Sequence, residues 1–133
     1  MVVDASVAVE LLLGGAKGRA AARFLSAQDH LHAPSLIDAE VAHALGRLNR
    51  LGAVDEDRSA EAVEVWGQMP LRRHHTAALL PRMWTLRDNL TAYDAAYVAL
   101  AEALDCPLVT FDEGLAGSPG HAAEILGPRE VTG

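Results

Sequence analysis

Short apolar runs alternate with segments of helical period along this chain, and that alternation constrains the fold more than any other feature. "MVV" (1–3), "LHAP" (31–34), "PLRRH" (70–74), "CPLVTFD" (106–112) and "AAEIL" (122–126) read as strands. Between them stand helical patterns. "ASVAVELLL" is stopped by Gly14–Gly15, "GRAAARFLSAQ" is rich in alanine, and "SLIDAEVAHALGRLNRLG" places Leu36, Val41, Leu45 and Leu48 at helical spacing. "DEDRSAEAVEVWGQM" starts with acids, as a helix N-terminus favours. "TAALLPRMWTLRDN" reads as a helix kinked near Pro81, "LTAYDAAYVALAEALD" as a strong helix, and the residues after "AAEIL" as a loose tail. Strands alternating with helices imply an α/β fold with a parallel sheet covered on both faces. The 133 residues fit one domain, 1–133, and half of them are hydrophobic, which excludes a disordered chain.

Two of these strands run straight into a carboxylate: Val2–Val3 into Asp4, and "LVTF" into Asp112. In open α/β sheets ligands bind beyond the carboxyl ends of the strands, where the strand order reverses. If these two strands are neighbours, Asp4 and Asp112 stand side by side at such a point. Two further acids lie among apolar residues: Glu40 inside "IDAEVAHAL" and Asp94 in the first turn of "LTAYDAAYVAL". Four carboxylates brought together repel one another unless a cation neutralises them, and hard divalent ions such as Mg²⁺ or Mn²⁺ prefer such oxygen donors.

Each acid also has an ordinary structural reading. Asp4 or Ser6 fits as the cap of the helix that follows, Asp94 stands at capping-box distance from Thr91, and Asp112 fits as the opening of a turn with Glu113 and Gly114. Asp38 stands at the same distance from Ser35, and for it the capping role is the expectation. Two positions before Glu40, it points about 200° away round the helix. Glu40 alone has no capping role to explain it.

Other chemistries find less support. His30–His32 and His74–His75 lack a third ligand at metal spacing and read as surface or strand-end residues. Cys106 reads as a core filler, and Tyr93, Tyr97, Leu100 and Leu104 as a core or interface stripe. There is no glycine-rich phosphate loop. No run approaches the ~20 apolar residues of a membrane span. With no signal-peptide pattern at the N-terminus and one unpaired cysteine, a cytoplasmic location is the expectation. The net charge of −7 argues against non-specific coating of nucleic acid.

"VVDASV", Glu40 in the third helix, "DNLTAYDAAYVALAEAL" and "LVTFDEGLA" together resemble the PIN domain, and in particular the VapC-type toxin ribonucleases of VapBC toxin–antitoxin pairs. The resemblance covers nearly the whole chain. It implies a three-layer α/β/α sandwich with strand order 3-2-1-4-5 and a Mg²⁺- or Mn²⁺-dependent endoribonuclease. Asp4, Glu40, Asp94 and Asp112 match the family's acidic cluster. Thr110 matches its hydroxyl two residues before the last acid and is expected to hold the attacking water. Ser6 and Asn89 are supporting positions, and acids at Glu113's position vary across the family. The resemblance also implies an RNA substrate, a cognate VapB-type antitoxin whose C-terminal segment blocks the site, and a homodimer. Arg72–Arg73, Arg82 and Arg87 are the candidate contacts to RNA or an acidic antitoxin segment.

Two enzyme alternatives fit poorly. A response-regulator receiver wants a lysine after a late strand, and the only lysine is Lys17; a haloacid-dehalogenase-type phosphatase wants an aspartate where Ser6 stands. An RNA-maturation PIN nuclease outside any toxin pair, or an inactive PIN binding module, remains the alternative function.

Overall fold

The computed structural model describes all residues, 1–133. A five-stranded parallel sheet runs in the order β3-β2-β1-β4-β5. Its strands are β1 (Val2–Val3), β2 (His32–Pro34), β3 (Arg72–His74), β4 (Leu108–Val109) and β5 (Ile125–Leu126). The helices are α1 (Ala5–Leu13), α2 (Ala16–Ser26), α3 (Ile37–Arg50), α4 (Glu56–Gly67), α5 (Leu80–Thr85), α6 (Ala92–Leu104), α7 (Glu113–Ala116) and α8 (Pro128–Thr132). This is the expected α/β/α sandwich with the expected strand order.

Pleating divides the core. Val2 and Leu108 pack with Ile37, Val41 and Leu45 of α3, Trp66 of α4 and Val98 and Leu100 of α6. Their neighbours Val3 and Val109 join Val7 of α1, Ala21 and Leu25 of α2 and Val131 of α8 in the other layer. Successive side chains on a strand point to opposite faces, so two-residue strands such as these are apolar on both.

The α1–α2 corner is tight. Gly14 closes α1 with φ +74°, a left-handed conformation that suits glycine. Arg58 of α4 donates to the Leu13 carbonyl at 2.7 Å and so covers one of the orphan acceptors of that helix end. Gly18 then lets α2 lie directly against the backbone of α1: a Cβ there would stand 2.1 Å from the Glu10 carbonyl oxygen.

Three sequence expectations change. Pro81 does not kink a helix. It stands in the first turn of α5, where a missing N–H costs nothing, after a separate 3₁₀ turn at Ala77–Leu79. The tail is not loose: it forms α8, whose Val131 is buried. Asp38 is no cap. Its Oδ1 accepts from the Trp66 indole at 2.8 Å and from Arg73 Nε at 2.9 Å, tying α3 to α4 and β3. A tertiary partner thus outcompetes the local one, and Asp38 does point away from Glu40's surroundings.

Candidate active site

The register Val2↔Leu108 and Val3↔Val109 sends β1 and β4 out of the sheet together. Asp4 and Thr110, the residues that follow, are both buried. Asp4 Oδ1 accepts from the Ser6 hydroxyl at 2.6 Å and from the Val7 N–H at 3.2 Å, so Asp4 does cap α1. Its Oδ2 accepts from the Thr110 hydroxyl. Ser6 Oγ in turn accepts from the Phe111 N–H, and Thr110 Oγ1 from the Asp112 N–H, both at 2.9 Å. Thr110 therefore holds Asp4. Its one hydroxyl proton is donated there.

Asp112 caps the short α7, with Oδ1 accepting from Gly114 N–H at 2.8 Å and Leu115 N–H at 3.3 Å. Glu113 is exposed in the same helix. Glu40, in the first turn of α3, accepts the Tyr97 hydroxyl at 2.6 Å. Asp94 lies in the first turn of α6, where its N–H donates to the Thr91 hydroxyl at 3.2 Å. Asp4 and Asp112 thus each cap a helix that follows one of the two paired strands.

Asp4, Glu40 and Asp94 are all raised above the ordinary carboxylate range. Burial pushes the Asp4 carboxyl up to about 6, against the opposing hydrogen bonds of Ser6, Thr110 and Val7, and the charge of Asp112 adds to the rise. Burial raises Glu40, with Tyr97 opposing and Asp94 adding. Burial also raises Asp94, helped by Asp112 and opposed by Thr91. No arginine, lysine or histidine forms an ion pair with any of the four; the two ion pairs of the molecule are Arg73–Asp38 and Arg82–Glu102. An unneutralised set of oxygen donors fits a hard divalent cation. As the side chains stand, no group of three or more acidic, histidine or cysteine residues is placed to hold a metal ion.

Ser6, Glu40 and Asp112 line a cleft of about 1000 Å³. Its other walls were not foreseen: Lys17 of α2, His43 and Arg47 of α3, Tyr93 of α6 and Phe111. The Lys17 ammonium lies 5.8 Å from the Phe111 ring centroid. One signal for them was present in the sequence, because Glu40, His43 and Arg47 recur three, then four residues apart on one face of α3. Nothing local announces Lys17. The expected arginines are elsewhere: Arg73 and Arg82 are held by Asp38 and Glu102, the Arg87 guanidinium lies over the Trp84 ring at 4.5 Å, and Arg72 does not line the cleft. Asn89 is exposed, makes no side-chain hydrogen bond to the four acids, and packs against Gly120.

A pH dependence follows from Asp4. A carboxyl whose folded pKa is raised binds more protons folded than unfolded between about 4 and 6, so stability falls as pH rises through that window. Glu40 and Asp94 act in the same direction. In metal-free buffer the melting temperature is expected to drop from pH 4 to pH 7. Asp4→Asn, which removes the titrating carboxyl, is expected to show a flatter profile across that range. Thermal unfolding across that range checks it.

Residues 1–117 match the PIN domain family. The chain is 47% identical over 115 residues to ribonuclease VapC9 of Mycobacterium tuberculosis, covering 84% of this chain and 85% of that protein. It is 41% identical over 125 residues to ribonuclease VapC1 of the same organism, covering 93% and 94%. Among solved structures, a toxin–antitoxin complex from Klebsiella pneumoniae superposes with a TM-score of 0.64 at 20% identity, over 96% of each chain, a likeness of fold. With a matched domain that takes in every one of the four acids, and relatives of this identity along most of its length, the chain belongs to the PIN-domain family and, within it, to the VapC ribonucleases.

Proposed function

We propose that this protein is a divalent-metal-dependent endoribonuclease and the toxin of a type II toxin–antitoxin pair. The observation that carries the reading is the group of four charge-coupled carboxylates, without a basic partner, beside a cleft walled by Lys17 and Arg47. Asp4, Asp94, Glu40 and Asp112 would hold Mg²⁺ or Mn²⁺, which when bound would supply Lewis acidity for in-line hydrolysis of a phosphodiester. Ser6 and Thr110 fix the Asp4 carboxylate, so that little reorganisation is left for the reacting state. Lys17 and Arg47 hold the flanking phosphates, and the exposed Tyr93 ring offers a face to a base. Water as the nucleophile leaves a 5′-phosphate and a 3′-hydroxyl.

The test is incubation of purified protein with mixed RNA, with and without EDTA and Mn²⁺, followed by end-group analysis. Cleavage that needs the metal and leaves 5′-phosphates supports the reading; 2′,3′-cyclic phosphate ends overturn it. Lys17→Gln and Arg47→Gln are each expected to weaken binding of single-stranded RNA and to lower the salt slope of that binding by about 0.7. Fluorescence anisotropy over a salt series, with a metal-free protein to prevent cleavage, measures both.

The partners are proposed from the same relationship. A VapB-type antitoxin would occupy the cleft with its C-terminal segment; that there is an antitoxin partner is supported by the VapC relatives and the toxin–antitoxin neighbour. A second copy would bury Leu80 and Trp84, which stand exposed on α5. No helix is long and apolar enough to cross a membrane; a cytoplasmic site of action is part of the proposal.

A further inference from the structure

Tyr97 is one of only two tyrosines in the chain. Its side chain is 1% exposed, inside the main core, yet its hydroxyl is not spent on the backbone or on a neighbour in its own helix. It donates at 2.6 Å to Oε1 of Glu40, 57 residues away on α3. That is the only hydrogen bond the Glu40 carboxylate receives from the protein. Tyr97 also stands one turn after Asp94 on α6, and residues three apart share a helix face. One face of α6 therefore presents an acid of the site and, beside it, the donor that orients an acid on a different helix.

A glutamate has three rotatable side-chain bonds, and holding it in one rotamer before a ligand arrives removes part of the entropy lost on binding. A buried phenol is suited to this. Its ring is buried in the same core cluster as Ile37 and Val41, and its single proton selects one carboxylate oxygen, leaving Oε2 for another partner. We propose that Tyr97 is a positioning residue for the cation site, locking Glu40 so that its second oxygen serves a divalent cation. The proposal rests on the metal-dependent reading above. It goes beyond that reading by assigning part of the affinity to a hydroxyl that touches neither metal nor RNA.

The test is calorimetric titration of Mn²⁺ into wild type, Tyr97→Phe, Glu40→Gln and the double variant, without RNA. Tyr97→Phe keeps the ring and removes only the donor. Its Mn²⁺ dissociation constant is expected to rise about tenfold, the effect typical of groups that orient metal ligands. In the Glu40→Gln background the same change should have no further effect, because the hydroxyl acts only through Glu40. An unchanged affinity in Tyr97→Phe, or an equal loss in both backgrounds, overturns the proposal alone. A wild type that takes up no Mn²⁺ overturns it together with the metal-dependent reading.

A measurement on the wild-type sequence covers failure of the variant to fold. With 3-fluorotyrosine incorporated, two ¹⁹F resonances are expected, and Tyr93→Phe assigns them. Added Mg²⁺ should shift the Tyr97 resonance in wild type but not in Glu40→Gln. A Tyr97 resonance indifferent to Mg²⁺ in wild type, or equally shifted in both, overturns the proposal.

Discussion

Asp94→Asn protein is expected to fold normally and to cleave RNA slower than wild type by on the order of 10³-fold or more, the several kcal/mol that a properly held metal contributes to such a reaction. The substitution keeps the shape of the side chain. It also keeps the backbone N–H that Thr91 caps, so α6 retains its start. What it removes is a charge that burial and Asp112 already disfavour, so the variant should lose no stability in metal-free buffer. Rates measured in excess Mn²⁺ on protein of confirmed circular dichroism decide the matter. Wild-type activity in the variant would reduce Asp94 to a residue of the capping turn.

The largest structural effect is expected at Gly18. Its α-hydrogen faces the Glu10 carbonyl, and a methyl group there would come within 2.1 Å of that backbone oxygen. Neither partner is a flexible side-chain end, so α2 has to move bodily off α1. Overpacking of this kind costs roughly 3 kcal/mol. Gly18→Ala is expected to lose that much in urea unfolding. Gly15→Ala, where the added Cβ meets nothing within 4 Å, should be nearly neutral. Because α1 carries Ser6 at its start and α2 carries Lys17, cleavage should fall in Gly18→Ala even where the protein is still mostly folded.

The fold was legible because two periodicities alternate without conflict, and because "MVV" and "LVT" are apolar on both faces, as only a covered strand can be. Asp4 and Asp112 were legible for a related reason: a charge at the end of such a strand needs a partner. Their capping roles were visible too, and the structure shows both. Less legible was whatever depends on a distant partner. Asp38 has the spacing of a cap and is instead taken by Trp66 and Arg73. The hydroxyl of Tyr97 looked like part of an apolar stripe until Glu40 stood opposite it. Arginines resemble one another in sequence whether they are held by an acid, as Arg82 is by Glu102, or line a cleft without an ion pair, as Arg47 does. The helical tail escaped because five residues are too few to display a period.

The pairing of Val2 with Leu108 has a consequence in time. The central ladder of the sheet joins residues about a hundred positions apart, and the hydroxyl that holds Asp4 lies 106 positions beyond it. A ribosome adding about 5–20 residues per second therefore releases Asp4, Glu40 and Asp94 seconds before Thr110 and Asp112 exist to complete their arrangement. For that interval β1 has no β4 beside it, and the growing chain holds the acids of the site without the site. Thr110, Asp112 and the strand that leads to them are thus the last parts of this arrangement to be synthesised.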